Sequence, residues 1–192
     1  MNIGDLLTKA ARTFPDHLAL VYGSRRWTYV QFDDRVNRLA RALRRLGLSD
    51  GDRVAVLMYN RPEMLESFFA CFKAGLCVIP LNFRLHSSEV AYIIDHAQAQ
   101  AVVTADPFIQ TIAAIRDRLP QVSHCIGVES LHADVLDYEV LLEAETESGI
   151  MARVDPEDIA WLFYTSGTTG MPKGAMLTHR NLLAMSMGFY AD

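Results

Sequence analysis

The sequence predicts a three-layer α/β fold: a mostly parallel sheet flanked by helices, with a small β-hairpin near the N-terminus. Three observations carry this expectation. Short apolar runs alternate with stretches whose apolar residues recur every three or four positions. The runs are apolar throughout, as strands buried on both faces are. No internal repeat or low-complexity segment breaks the alternation. Right-handed crossovers between neighbouring strands follow.

In order along the chain, Ile3, Leu6, Leu7, Ala10 and Phe14 fall on one helical face, and Pro15 stops that helix. Residues 18–22 and 25–29 read as two strands joined at Gly23-Ser24. The next helix carries Phe32, Val36, Leu39, Leu43 and Leu46 on its core face and ends at Gly47. Arg35, Arg38, Arg41, Arg44 and Arg45 occupy its other faces and read as a solvated surface whose aliphatic stems cover the core. Strands are then expected at 53–58, 77–80, 101–104 and 124–128. Helices are expected at 63–74, 88–96 (with Ser87 as cap) and 108–119.

The chain has 192 residues, 51% of them hydrophobic and 21% charged, which suits one globular unit with a sizeable core. A net charge of −5 argues against a general affinity for nucleic acid or anionic membrane. Cys71, Cys77 and Cys125 are odd in number and form no CxxC pair, so they read as buried thiols in a reducing compartment. Neither a signal peptide nor a transmembrane run is visible, and a cytoplasmic location is the expectation.

Three parts follow from composition: an α/β portion at 1–128, an acidic connecting segment at 129–158, and a closing unit at 159–192. The connecting segment holds Glu139, Glu143, Glu145, Glu147, Asp155, Glu157 and Asp158. It reads as a short helix near 138–145 followed by an exposed linker rather than a metal site. Residues 159–164 read as a buried strand. Residues 175–177 read as a second strand, and Thr178 as the cap of a helix over 181–190.

Between those strands lies the run with the most chemical content, residues 165–174. Its glycines, Gly167, Gly170 and Gly174, permit close backbone approach to a ligand. Successive N–H groups in such turns form an anion-binding nest. Thr165, Ser166, Thr168 and Thr169 add neutral donors, and Lys173 adds a point charge suited to phosphate. A Walker-type loop is excluded, because Lys173 follows Pro172 and no Gly-Lys-Ser/Thr occurs. The loop also joins strand to strand, without the helix N-terminus that such loops use.

These residues resemble a known signature. Residues 162–174 look like the AMP-binding motif of the adenylate-forming superfamily, which includes acyl-CoA synthetases, peptide-synthetase adenylation domains and luciferases. Residues 27–32 and 72–82 resemble two upstream core motifs in the same order, so the likeness covers nearly the whole chain. Asn82 is similar to fatty-acyl and aryl CoA ligases, where amino-acid-activating relatives more often carry aspartate.

The resemblance implies that Thr165, Ser166, Gly167, Thr168, Thr169, Gly170 and Lys173 hold the phosphates of ATP. It implies a two-step reaction. A carboxylate attacks the α-phosphate and releases pyrophosphate, and coenzyme A then takes the acyl group from the adenylate, with Mg²⁺ neutralising the triphosphate. Two alternatives stay open: a domain that loads a carrier protein, and a non-catalytic nucleotide-binding module.

His179 either faces the nucleotide or serves the first turn of its helix. The family's adenine, ribose, metal and catalytic-lysine groups find no match here. The chain is therefore expected to be an N-terminal fragment with no catalytic residue of its own, inactive alone, and Lys173 is distinct from the missing lysine. Weak Mg²⁺-dependent ATP binding and an exposed apolar sheet surface are expected of it.

Overall fold

The computed structural model describes residues 1–130, 132–146, 149–165 and 171–188. Its elements run α1 (Asp5–Thr13), β1 (Leu18–Tyr22), β2 (Arg25–Thr28), α2 (Tyr29–Arg45), β3 (Arg53–Leu57), α3 (Pro62–Lys73), β4 (Cys77–Pro80) and α4 (Ser87–His96). They continue with β5 (Ala101–Ala105), α5 (Phe108–Ile115), β6 (His124–Val128), β7 (Leu136–Asp137), α6 (Tyr138–Glu143), β8 (Ile159–Thr165), β9 (Lys173–Thr178) and α7 (His179–Gly188).

The main sheet has the order β7-β6-β5-β3-β4-β8-β9. Its neighbours are parallel, except that β9 returns antiparallel to β8. β1 and β2 form the separate antiparallel hairpin, with Gly23 at φ +58° in its turn. The fold is the expected α/β arrangement with a mostly parallel sheet between helical layers.

Alternation along each central strand divides the core in two. Val54 and Val56 of β3 face the layer of α2 and α3, where Val36, Leu39, Leu43, Cys71 and Phe72 meet them. Ala55 and Leu57 face the layer of α4 and α5, with Val90, Ile94 and Ile112. α2 begins where the sequence spells a reciprocal cap. The Thr28 hydroxyl accepts from the Gln31 N–H, and the Gln31 side chain accepts from the Thr28 N–H.

Several boundaries moved. α4 starts at Ser87 itself, one residue before the expected start, and the Glu89 carboxylate accepts from the His86 N–H at 2.9 Å. α5 is shorter than expected and ends in a 3₁₀ turn at Arg116–Arg118. Phe14 lies off the buried face: it is exposed and stacks on His17. β7 was not anticipated. It has two residues and is held to β6 at the sheet edge, below the length at which a period-two pattern is visible.

The basic face of α2 is not simply solvated. Arg35 grips Glu66 of α3 through Nε at 2.6 Å and Glu139 of α6 through Nη2 at 2.6 Å. The Tyr138 hydroxyl donates to Glu66 at 2.7 Å. Glu66 and Tyr138 are both fully buried. Burial pushes the Glu66 carboxyl above its ordinary value, against the pull of Arg35 and Tyr138. Arg38 donates to the Glu145 carbonyl. The short helix expected near 138–145 is present as α6, and arginines of α2 dock it.

The second half of the acidic segment is pinned too. The Ala152 N–H donates to the Lys73 carbonyl at 2.7 Å. Lys73 itself is buried, and its ammonium reaches Asp33 and Asn37 of α2.

Gly75, at the helix–strand join, faces Ala152 with φ +72°; a Cβ there would lie 2.9 Å from the Ala152 Cβ. Gly75→Ala is therefore expected to cost about 2 kcal/mol or more, from left-handed backbone strain and overpacking together. A lower urea midpoint at unchanged slope would report it; an unchanged midpoint would contradict it.

Candidate phosphate site

β8 and β9 form a hairpin whose closed end carries the glycine-rich run. The register pairs Tyr164 with Gly174 and Thr165 with Lys173. The two flanking members of the expected site, Thr165 and Lys173, thus stand opposite each other on paired strands, and both are exposed. Ser166, Gly167, Thr168, Thr169 and Gly170 lie outside the described residues. Strand enters and strand leaves, as the spacing requires, so the helix-terminus geometry of a Walker loop does not apply here.

Gly174 has a packing reason. A Cβ at this position would stand 3.0 Å from the Tyr164 ring. The Tyr164 hydroxyl in turn pairs with His96 Nδ1 at 2.7 Å, which ties the incoming strand to the end of α4. Leu162 and Tyr164 look towards the α4 side, where a cavity of about 750 Å³ opens between them, Arg53, His96 and Met176.

β8 is less covered than expected. Only Ala160 is buried, while Phe163 and, on β9, Met176 are exposed. Trp161 packs on the other face against Phe68 and Phe72 of α3.

The open end of the hairpin is held by His179. Its N–H donates to the Asp158 carbonyl at 3.1 Å, just before β8 begins. Its Nδ1 accepts from the Ile3 N–H at 3.2 Å, and its ring meets Phe72 edge-on. His179 is buried at 1% exposure, which gives it a structural place rather than a position facing a ligand. The Thr178 hydroxyl caps α7, accepting from the Asn181 N–H at 3.2 Å.

Burial lowers the His179 pKa below the ordinary 6.5; the Met1 amine lowers it further, and Asp158 and Asp5 oppose both. The unfolded chain then takes up the proton first. The stabilising contribution is whole above about pH 6.5 and is lost as pH falls towards the depressed folded value. Urea midpoints should decline between pH 7.5 and 5.5, more steeply than in His179→Asn. Equal slopes would contradict this.

Other groups fall outside the hairpin. Cys71 and Cys77 are buried, Cys125 is half-buried, and all three are free thiols. Burial pushes the Cys77 thiol up to about 12, so these are inert packing groups. Asn82 accepts from the Arg84 N–H at 2.9 Å, a local turn role.

At the carboxyl ends of the strands, Tyr59 meets Phe83 and Phe108 at centroid distances of 5.0 and 4.9 Å. Arg84 lies over the Phe83 ring. This lies where the strand order reverses between β3 and β5, the end at which open α/β sheets bind ligands. The readable signal was an aromatic shortly after each strand. Among the described residues no group of three or more His, Cys, Asp or Glu is placed to hold a metal, and no helix is long and apolar enough to cross a membrane.

Residues 7–191 match the family described as AMP-binding enzyme. The chain belongs to that family. It is 35% identical over 190 residues to a 4-hydroxybutyrate–CoA ligase of Metallosphaera sedula, covering 94% of this chain and 35% of that one. It is 34% identical over 172 residues to a linear gramicidin synthase of Brevibacillus parabrevis, covering 90% of this chain and 2% of that one. An anthranilate CoA ligase, AuaEII, solved with anthranoyl-AMP, superposes with a TM-score of 0.94 at 28% identity, over 97% of this chain and 36% of that one. The chain spans about a third of the length of the CoA-ligase relatives it matches. The β8–β9 hairpin thus lies within the matched AMP-binding region.

Proposed function

We propose that this AMP-binding domain serves an acid–thiol ligase. In that reading a carboxylic acid, with fatty acids as the first class to test, is activated by Mg²⁺-ATP to an acyl-adenylate and passed to coenzyme A. The β8–β9 hairpin carries the reading, because it sets Thr165 and Lys173 at the two ends of a run that fits triphosphate. The chain's own part is binding and orientation. Ser166, Gly167, Thr168, Thr169 and Gly170 supply N–H and hydroxyl donors, and Thr165 and Lys173 flank them. Together they fix the β- and γ-phosphates while the α-phosphate is attacked.

In this reading Mg²⁺ enters with the nucleotide as part of the substrate and neutralises the triphosphate. The similarity to CoA ligases for 4-hydroxybutyrate and anthranilate supports the class of acid and acceptor. The ring cluster at Tyr59, Phe83 and Phe108, with Arg84 beside it, suits an acceptor that ends in a nucleotide.

A carrier protein as acceptor is the second reading, favoured by the similarity to a linear gramicidin synthase. Pyrophosphate exchange by the whole protein across aliphatic and aryl carboxylates tests the first step, and silence across the panel would overturn it. Thioester formation with coenzyme A, compared with a phosphopantetheinylated carrier, separates the two acceptors.

A further inference from the structure

The hairpin that carries the phosphate run is clamped at its open end by one buried side chain. We propose that His179 is a positioning residue for the β8–β9 hairpin, whose base it fixes only while its Nδ1 is free to accept the Ile3 N–H. The inference rests on reading residues 165–173 as the triphosphate grip.

Four contacts converge on this joint. The His179 N–H closes on the Asp158 carbonyl, and the Arg180 N–H closes on the Pro156 carbonyl at 2.9 Å. These two bonds tie the strand leaving the loop to the strand entering it. His179 Nδ1 ties both to residue 3, and the Phe72 ring closes the pocket from α3. Residue 3 is itself fixed. The Asn2 side chain donates to the Phe72 carbonyl at 2.6 Å, and its Oδ1 accepts from the Gly4 N–H at 2.8 Å. The clamp therefore runs from the hairpin base to α3 at the centre of the fold.

A protonated imidazole has no acceptor nitrogen. Protonation would set two donors, the ring Nδ1–H and the Ile3 N–H, against each other in a buried pocket. The charged groups facing the ring are Asp158 from the segment before β8, and the Met1 amine and Asp5 from the N-terminal segment; α3 faces it with Phe72. Burial disfavours the charged ring beyond what the two carboxylates restore. Acidification should thus release the hairpin base before it unfolds the sheet.

His179→Asn keeps a carbonyl acceptor near Nδ1 and cannot protonate in this range. His179→Leu keeps the bulk and removes the acceptor. Hydrogen exchange on this chain is the first measurement. Amides of β9 and of residue 3 should lose protection in His179→Leu at every pH. They should lose it in the wild type below about pH 6.5 and keep it in His179→Asn.

The second measurement is the KM for ATP in the whole protein's pyrophosphate exchange. His179→Leu should raise it roughly three- to tenfold, the effect of one lost hydrogen bond, with the carboxylate KM unchanged. His179→Asn should restore it and remove the acid limb. Wild-type protection of β9 at acid pH, or an acid limb that persists in His179→Asn, would overturn the proposal. If the wild type shows no exchange with any acid, the ligase reading fails, and the hydrogen-exchange pattern alone decides the role of His179.

Discussion

Replacing Lys173 with alanine is expected to weaken use of ATP about 10- to 150-fold, the effect of losing one hydrogen bond to a charged group. Lys173 opens β9, is exposed, and pairs across the hairpin with Thr165. Its backbone is held by the ladder, so truncating the side chain leaves the hairpin intact. The loss should appear in the KM for ATP during pyrophosphate exchange, with the melting temperature unchanged. Lys173→Arg is expected to recover only part, because a planar fork does not reproduce a point charge. Unaltered exchange in Lys173→Ala would remove this residue from the proposed grip.

Arg35→Leu is expected to be the most damaging single change to stability, at about 3–5 kcal/mol. The substitution strands the Glu66 carboxylate, which is fully buried and, among the described residues, then keeps only the Tyr138 hydroxyl as hydrogen-bond partner. It also releases Glu139, the first acidic contact of α6 with α2. Thermal unfolding should fall by roughly 10 °C. Adding Glu66→Gln should return most of it, since the amide keeps an acceptor for Tyr138 without a charge. By contrast, Arg180→Ala removes an ion pair whose partners are 66% and 59% exposed. That change should cost under about 1 kcal/mol. Equal losses from Arg35→Leu and Arg180→Ala would refute the assignment of a buried clamp.

The sheet was readable because its central strands are apolar on both faces, a pattern carried by composition alone. β4 and β6 appear at the expected bounds. The strand-to-strand character of the glycine-rich run was readable from Pro172 and the apolar residues after Gly174. What escaped was whatever depends on partners distant in sequence.

Lys73 reads as the polar end of a helix, yet it is buried because Asp33 and Asn37, a helix away, converge on it. Arg35 reads as surface, yet Glu66 and Glu139 draw it inward. The later part of the acidic run reads as linker because composition does not reveal the Lys73 carbonyl that pins it at Ala152. His179 presented two readings, and its burial against Phe72 with the Ile3 N–H on its Nδ1 chooses between them.

The bond between residue 3 and residue 179 also orders events in time. Its partners are separated by 176 positions, and the Asn2 side chain reaches the Ala152 carbonyl across 150. At about 5–20 residues per second, a ribosome takes roughly 10–35 s to make the chain between residues 3 and 179. During that interval the Ile3 amide, which lies just before α1, lacks its His179 acceptor, while β3 to β6 become available to pair. Asn2 can bond the Phe72 carbonyl early, but the Ile3 amide finds its acceptor last. Its docking reports that the hairpin has arrived, so pulse-labelled nascent chains should show the Ile3 amide unprotected until the α7 sequence has emerged.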